Sequence, residues 1–182
     1  IPNLKCLIIF GEKKSLAYPI MLACLKSKIT YIPLNSDTPN YRINKILEIT
    51  KSQLFISVSN KSIKIKKIKF LKINDFNFLK KSNFLKRNQK KNNNIAYIIF
   101  TSGSTGNPKG VKISYTALDY YCNWLKKKFK VFKKKCSQFS EISFDLSVVD
   151  IYGTLISGGT ICSVENDFYK KFPGRFIFDK KI

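Results

Sequence analysis

Short apolar runs of strand length alternate along this 182-residue chain with segments whose apolar side chains recur at helical spacing. The runs at residues 6–10, 29–34 and 54–58 are typical of buried strands, and a helical stripe lies between each run and the next. Parallel strands need a crossover between them, so this alternation predicts βαβ units. We therefore predict an α/β fold with a largely parallel sheet and flanking helices.

Capping residues and spacing predict the other elements. Thr38 is predicted to be an N-cap with Pro39 at the first helical position, and Ser15 is predicted to cap the preceding helix. A helix is expected from Ser114, and another over residues 146–155 with Asp145 as its N-cap. Strands are predicted at residues 95–100, 111–113, 141–144 and 160–164.

Residues 60–94 are rich in Lys and Asn and show the weakest periodicity of the chain. We interpret them as a variable connection with room for one short strand, in which Ile63, Ile65 and Ile68 alternate with Lys. The same strand–helix alternation flanks this connection on both sides. We therefore predict a single partial domain over residues 1–182 and no domain boundary at 60–94.

The composition excludes several kinds of active site. The chain contains no His, so it can build neither an imidazole general base nor a His-containing metal site. Its five Cys are widely spaced and include no C-x-x-C pair, which favours reduced thiols in a cytoplasmic protein. No apolar run approaches the roughly 20 residues that a membrane-spanning helix needs, so we expect no membrane span.

The chain is strongly basic, with 34 Lys and Arg against 11 Asp and Glu and a formal net charge of +23. Only three of the basic residues are Arg, the side chain that nucleic-acid-binding proteins favour for base contacts. We therefore favour a solvated lysine-rich surface with no specific nucleic-acid site, although weak non-specific binding to nucleic acid is expected. A basic nucleic-acid-binding module is a remote alternative.

A segment rich in hydroxyl groups and glycine follows the predicted strand at 95–100. It reads Thr-Ser-Gly-Ser-Thr-Gly-Asn-Pro-Lys-Gly over residues 101–110. Backbone N–H groups, hydroxyl donors and the Lys109 ammonium would together suit a polyphosphate. The segment is not a G-x-x-x-x-G-K-[ST] loop, because Pro108 and Gly110 flank the lysine and no helix can start there. Composition alone favours a flexible surface turn.

The ten residues at 101–110 resemble the phosphate-loop signature of the adenylate-forming, or AMP-binding, superfamily, which includes acyl-CoA synthetases, luciferases and the adenylation domains of nonribosomal peptide synthetases. Residues 25–42 and 143–160 resemble two further blocks of that family, in the family's order. Tyr115, Lys28 and Asn35 depart from the pattern, since the family usually has His, Gly and Asp, respectively, at these positions. The resemblance is greatest to amino-acid adenylation domains, both D-alanine–D-alanyl carrier protein ligases and nonribosomal peptide synthetase domains.

The resemblance implies an ATP site, with Mg²⁺ expected on the phosphates and no metal ligand assigned within this chain. Lys109 would be catalytic, stabilising the charge of the departing pyrophosphate. The implied phosphate-binding residues are Thr101, Ser102, Gly103, Ser104, Thr105 and Gly106.

Asp145 is the implied substrate-binding residue, because in amino-acid-activating members the matching Asp accepts a hydrogen bond from the substrate's α-ammonium group. Such a carboxylate would disfavour a plain fatty acid, since an unpaired buried charge is costly. Leu146 and Val149 would then line a pocket for a small or apolar amino acid. From its position alone Asp145 is better explained as a helix N-cap, and the two roles are compatible.

The implied activity is formation of an aminoacyl-adenylate from ATP and an amino acid, followed by transfer to the phosphopantetheine thiol of a carrier protein in the cytoplasm. An acyl-CoA synthetase-like acid–thiol ligase is the alternative. The chain begins at Ile1 without a signal-peptide pattern, and the family's later blocks have no counterpart in it, so we expect a fragment that is inactive by itself. The amino acid and the type of parent enzyme are left open.

Overall fold

The computed structural model describes residues 4–12, 14–65, 68–75, 94–102, 107–128 and 134–182, with only the backbone of Ser102. The chain divides into two compact units, Ile1–Tyr115 and Thr116–Ile182. Each unit has its own sheet and its own buried residues, and they are described in turn.

A sheet with the strand order β4-β3-β1-β2-β5-β6 forms the centre of the first unit. Strands β1 to β5 run parallel to their neighbours, and β6 is antiparallel to β5. This arrangement confirms the predicted α/β fold with a mostly parallel sheet. The strands are β1 (Cys6–Phe10), β2 (Thr30–Leu34), β3 (Leu54–Ser57), β4 (Lys69–Lys72), β5 (Ile95–Ser102) and β6 (Pro108–Ser114).

Two helices accompany this sheet, α1 (Lys14–Lys26) after β1 and α2 (Asn40–Thr50) after β2. All five residues of β2 are buried, which explains why its sequence is apolar after Thr30 and does not alternate. Helix α2 contributes two side chains to the main apolar cluster. The cluster consists of Ile8, Phe10, Ile32, Leu34, Ile43, Ile46 and Phe55.

Gly11 lies where β1 ends and the backbone after β3 approaches it closely. Its φ angle is +142°, and a Cβ atom built on it would lie 2.7 Å from the carbonyl carbon of Val58 and 2.8 Å from the backbone nitrogen of Ser59. A glycine is therefore required here both for its conformation and for the space it leaves.

The second unit contains a parallel pair of strands, β7 (Lys135–Gln138) and β8 (Thr160–Ser163), joined by a helical crossover. The crossover consists of α4 (Leu146–Val148), a π-helical segment (Val149–Gly153) and α5 (Thr154–Ile156). Helix α3 begins at the last residue of the first unit, and two helices follow β8. These helices are α3 (Tyr115–Lys128), α6 (Asp167–Lys171) and α7 (Pro173–Lys180).

Aromatic side chains pack around the buried Phe176 of helix α7. The rings of Phe139 and Tyr169 meet it edge-on, with centroid separations of 5.6 Å and 5.2 Å. Edge-to-face contacts of this kind add to the stabilisation that burial provides. They tie the C-terminal helices to the chain that follows β7.

Several sequence predictions about local structure are wrong or incomplete. Ser15 does not cap α1, because the helix already begins at Lys14. The strand expected at residues 141–144 is absent, because the Phe144 N–H donates to the Glu141 carbonyl in a turn and the strand lies earlier, at Lys135–Gln138. Thr38 does not cap α2, since Pro39 takes the N-cap position with no side-chain hydrogen bond. Within the described part of the connection at 60–94, only Lys69–Lys72 forms a strand.

The three isoleucines of that connection, Ile63, Ile65 and Ile68, nevertheless pack partly buried against the main apolar cluster. Their apolar character therefore correctly indicated burial, but their alternation with Lys wrongly indicated a strand. Among the helices of the described ranges, none combines the length and the apolar character that a bilayer crossing would need.

Candidate functional site

The described residues of the segment 101–110, which are 101–102 and 107–110, lie at one end of the antiparallel pair formed by β5 and β6. Ser102 pairs with Pro108 and Thr101 pairs with Lys109, so the strands continue well into the segment that the sequence predicted to be a loop. The predicted site residues Gly103, Ser104, Thr105 and Gly106 lie outside the described residues. Because they flank the predicted phosphate-binding motif, we call the paired strands Ile95–Ser102 and Pro108–Ser114 the phosphate hairpin.

Thr101 and Lys109 are brought together by this pairing. The Thr101 hydroxyl donates to the Lys109 carbonyl over 3.4 Å, and both residues are exposed. The Lys109 side chain therefore stands on a strand edge beside the Thr101 hydroxyl group. Two of the predicted phosphate-site residues thus share one end of the hairpin.

Gly110 allows an aromatic ring to pack across the hairpin. It pairs with Phe100, and a Cβ atom on it would lie 3.0 Å from the Phe100 ring and 3.0 Å from the Ile98 side chain. An aromatic side chain that covers a cross-strand glycine stabilises a hairpin. The side chains of Phe100 and Ile98 pack closely against Gly110, which explains the glycine at the end of the motif.

Lys45, which the sequence did not single out, contacts the same end of the hairpin. Its Nζ donates to Oδ1 of Asn107 over 2.9 Å, across a separation of 62 residues. Asn107 belongs to the motif, but Lys45 lies in α2 and no local pattern marks it. Only the placement of α2 beside β6 brings the two side chains together.

The other end of the hairpin is held by Tyr115. Its N–H donates to the Asn94 carbonyl, and its hydroxyl donates to the Leu25 carbonyl over 3.4 Å. The Lys28 ammonium lies 3.7 Å from the centroid of the Tyr115 ring, a cation–π contact. Two of the three residues that depart from the family pattern are therefore in contact with each other.

Burial raises the pKa of the Tyr115 hydroxyl to about 12, with a smaller contribution from the thiol of Cys24. The phenol therefore stays protonated at neutral pH and keeps its role as a donor to Leu25.

Lys28 adopts a φ angle of +56°, in the left-handed region that glycine adopts with less strain than other residues. The cation–π contact helps to offset that strain.

Asp145 is confirmed as an N-cap in the second unit. Its carboxylate accepts a hydrogen bond from the Leu146 N–H over 2.9 Å, and the residue is exposed. Leu146 is 66% exposed, and Val149 is half-buried at the start of the π-helical segment. All three predicted substrate-site residues therefore lie at the N-terminal end of one helical crossover.

A π-helical segment within a helix holds one residue more per turn than an α-helix, and such segments are frequent at functional sites. Here the segment Val149–Gly153 interrupts the helix that the sequence predicted over 146–155. Thr154, directly after it, is fully buried, and its hydroxyl oxygen has no hydrogen-bond partner among the described residues. The irregularity thus leaves a polar group unsatisfied in the interior.

Tyr121 of helix α3 is in electrostatic contact with the start of the crossover. Burial raises the pKa of its hydroxyl, and Cys122, Asp145 and Asp150 raise it further through their negative charges. Its ring stacks on Trp124 with a centroid separation of 5.7 Å and an interplanar angle of 19°. The negative charge of the Asp145 carboxylate therefore acts on the Tyr121 hydroxyl group.

The cysteines of the chain are all free. Burial raises the pKa of the Cys24 thiol to about 12, so this thiol is a weak nucleophile at neutral pH. Within the described ranges, no three side chains of Cys, Asp and Glu lie together as the ligands of a metal ion would.

Comparison with known proteins places the chain in a family. A model of the AMP-binding enzyme family matches residues 6–179. The D-alanine–D-alanyl carrier protein ligase of Staphylococcus epidermidis is 33% identical over 170 residues, which cover 92% of this chain and 34% of that protein. The ligase of the same name from Lacticaseibacillus casei is 30% identical over 187 residues, covering 100% of this chain and 37% of that protein.

Solved structures show the same fold. The nonribosomal peptide synthetase FmoA3 matches 100% of this chain and 20% of its own, with a TM-score of 0.82 and 18% identity. The Vibrio cholerae adenylation domain AlmE, solved with glycyl-adenosine-5'-phosphate, matches 99% of this chain and 39% of its own, with a TM-score of 0.76 and 25% identity. The chain spans about a third of the length of the curated relatives it matches. It is a member of the AMP-binding enzyme family.

Proposed function

We propose that the protein to which this chain belongs activates an amino acid with ATP and passes it to the phosphopantetheine thiol of a carrier protein. In the first step a carboxylate oxygen of the amino acid attacks the α-phosphorus of ATP, the bond to the β-phosphate breaks, and pyrophosphate leaves. In the second step the thiolate sulfur attacks the acyl carbon, the bond between that carbon and the phosphate oxygen breaks, and AMP leaves. The observation that carries the proposal is the hairpin that presents the phosphate-loop motif.

The phosphate hairpin suits the first step because it presents donors and a cation on a rigid edge. Thr101 and Lys109 are exposed and held opposite each other by strand pairing, so little ordering is needed when a phosphate binds. We assign Lys109 to the charge that develops on the departing pyrophosphate. The proposed ligands of the β- and γ-phosphates are Thr101, Ser102, Gly103, Ser104, Thr105 and Gly106.

Asp145 is proposed to bind the substrate's ammonium group. A carboxylate offers about four acceptor positions, and the Leu146 N–H occupies one of them. The same side chain can therefore cap its helix and still accept a hydrogen bond from an ammonium group. The exposed Leu146 and half-buried Val149 stand on the same short helical stretch and would contact a small or apolar side chain.

Mg²⁺ enters the proposal as an ion carried by the triphosphate, whose oxygens are the ligands it prefers. When bound, it would neutralise part of the phosphate charge. Among the described residues, Thr101 would offer a hydroxyl group and Lys109 an ammonium group to the phosphates, and we assign no protein ligand to the ion.

The place of the chain in the larger protein is also a proposal. We place residues 1–182 within one adenylation domain of a cytoplasmic enzyme, with the connection at 60–94 inside it. The chain spans about a third of its relatives, so we propose that it completes no catalytic cycle by itself.

The test of this function uses a full-length parent protein and measures amino-acid-dependent exchange of pyrophosphate into ATP over a panel of D- and L-amino acids. We expect exchange with a small amino acid such as D-alanine. Exchange only with carboxylic acids that lack an amine would support the acyl-CoA synthetase-like alternative. No exchange with any acid would contradict the proposal.

The role of Asp145 is tested by Asp145→Ser in the same protein. Serine is also a good N-cap, so the helix start should survive while the carboxylate is lost. We expect unchanged thermal stability and a loss of amino-acid-dependent exchange of about 100-fold or more, since the ammonium group loses its charged partner.

Asp167→Ser is the matched control, because Asp167 is another acidic residue at the start of a helix, α6. We expect it to leave the exchange rate unchanged. If Asp145→Ser exchanges as fast as this control, Asp145 serves only as a cap and the amino-acid assignment is wrong.

A further inference from the structure

One lysine reaches the phosphate hairpin from a distant part of the sequence. The Lys45 ammonium donates to the side-chain carbonyl oxygen of Asn107 over 2.9 Å. Asn107 directly precedes Pro108, at which β6 begins. The contact therefore lies in the second half of the motif, directly before the first residue of β6.

Helix α2 fixes where the Lys45 side chain starts. Ile43 and Ile46 on either side of it are fully buried in the main apolar cluster, while Lys45 is exposed. The helix ends in a C-cap at Lys51, whose N–H donates to the Leu47 carbonyl. A side chain that extends from a packed and capped helix holds its position better than one on a loop.

The present partner of Lys45 is weaker than a phosphate would be. An ammonium group has three donors, and the contact with Asn107 uses one of them. The amide oxygen of Asn107 is neutral, whereas phosphate oxygens carry charge and form shorter and stronger hydrogen bonds with an ammonium group. The geometry thus leaves donor capacity beside Thr101 and Lys109, which lie on the same hairpin.

We propose that Lys45 is a second cation of the triphosphate site, held at the edge of the phosphate hairpin by Asn107. The assignment rests on the proposed function of the hairpin. Lys109 approaches from strand β6 and Lys45 from helix α2, so a polyphosphate would meet positive charge from two separate elements. This arrangement favours the triphosphate of ATP over the single phosphate of AMP, because the longer anion can contact both ammonium groups.

The test measures the affinity of the full-length parent protein for inorganic tripolyphosphate by titration calorimetry at 0.15 M NaCl. Lys45→Gln keeps the helix propensity and removes the charge. We expect its dissociation constant to rise about fivefold, the effect of one exposed contact between unit charges. Lys45→Arg keeps the charge and should bind like the unaltered chain.

The chain is so basic that every lost charge weakens anion binding somewhat, so the control removes a charge elsewhere. Lys69 is exposed on β4, the strand at the opposite edge of the sheet from β6. Lys69→Gln measures the non-specific effect alone. If Lys45→Gln weakens binding no more than Lys69→Gln does, or if Lys45→Arg binds as weakly as Lys45→Gln, the assignment is wrong.

Lys109→Gln separates this inference from the proposed function. If Lys109→Gln weakens tripolyphosphate binding beyond the control and Lys45→Gln does not, only the role of Lys45 fails. If neither variant differs from Lys69→Gln, the hairpin does not bind phosphate and the proposed function loses its main support.

Discussion

Gly11 carries a backbone conformation that a larger residue cannot adopt without strain. Its φ angle is +142°, and a Cβ atom would lie within 3 Å of three backbone atoms of Val58 and Ser59. Backbone atoms at the end of a central strand cannot move aside as a flexible side chain can. The absence of a side chain at Gly11 therefore allows the backbone at the ends of β1 and β3 to approach closely.

We predict that Gly11→Ala lowers the free energy of unfolding by about 2–3 kcal/mol, because strained backbone and steric overlap add. Urea denaturation followed by circular dichroism measures it. Gly174→Ala is the matched control, since a Cβ there meets no atom within 4 Å and the residue lies in helix α7. The control should be neutral or slightly stabilising. Equal stability of Gly11→Ala and the unaltered chain would contradict this account.

The candidate site was predictable from the sequence where it depends on local motifs. Thr101 and Lys109 belong to one short segment, and Asp145 directly precedes a helix, so their neighbourhoods could be read from nearby residues. Lys45 could not be found in this way, because its contact with Asn107 depends on how α2 lies against β6. The contact between Lys28 and Tyr115 was missed for the same reason.

At the scale of the elements, the strands and helices of the first unit were largely predictable and those of the second were less so. In the first unit, buried strands such as β1 are continuously apolar, which is a strong signal. In the second unit, β7 has the sequence Lys-Cys-Ser-Gln and shows no such signal. The strand was instead predicted at the more apolar residues 141–144, which form a turn.

The crossover of the second unit shows a further limit of periodicity. Its apolar spacing predicted one regular helix, and the structure has the π-helical segment Val149–Gly153 within it. A single inserted residue barely alters a hydrophobic pattern, so such a segment is decided by tertiary packing. The buried hydroxyl of Thr154, which has no partner among the described residues, is a product of that packing.

We predict that Thr154→Val raises the free energy of unfolding by up to about 1 kcal/mol, because it replaces an unsatisfied buried hydroxyl with a methyl group of similar size. Thr154→Ser, which keeps the hydroxyl and loses the methyl group, should be destabilised by about 1 kcal/mol. Thermal unfolding of both variants measures the two effects. A destabilised Thr154→Val would show that the hydroxyl does have a partner, such as a bound water.

At the scale of the whole molecule, the dominant property is a formal net charge of +23. Such a charge attracts polyanions of any kind and says little about a specific site. The charge is carried almost entirely by Lys, and the described strand at one sheet edge, β4, has lysines at both ends. Lysines on an edge strand also discourage pairing with a second sheet.

We predict that the chain binds duplex DNA weakly, without sequence preference, and that the affinity falls at least about tenfold between 50 and 200 mM NaCl. Fluorescence anisotropy with two unrelated duplexes of equal length measures it. Lys109→Gln and Lys69→Gln should alter DNA binding equally, because each removes one charge of many. A clear preference for one of the two duplexes would contradict this prediction.

The strand order β4-β3-β1-β2-β5-β6 separates neighbours in sequence from neighbours in space. Strand β4 lies at one edge of the sheet, whereas β5, the next strand in sequence, pairs with β2 on the other side of β1. There Tyr97 of β5 stacks on Tyr31 of β2 with a centroid separation of 5.5 Å. A cut in the polypeptide between β4 and β5 would divide the sequence in two. It would leave every pairing between neighbouring strands intact. The piece that carries the motif at 101–110 would then be held to the rest of the sheet by the pairing of β5 with β2, where Tyr97 stacks on Tyr31.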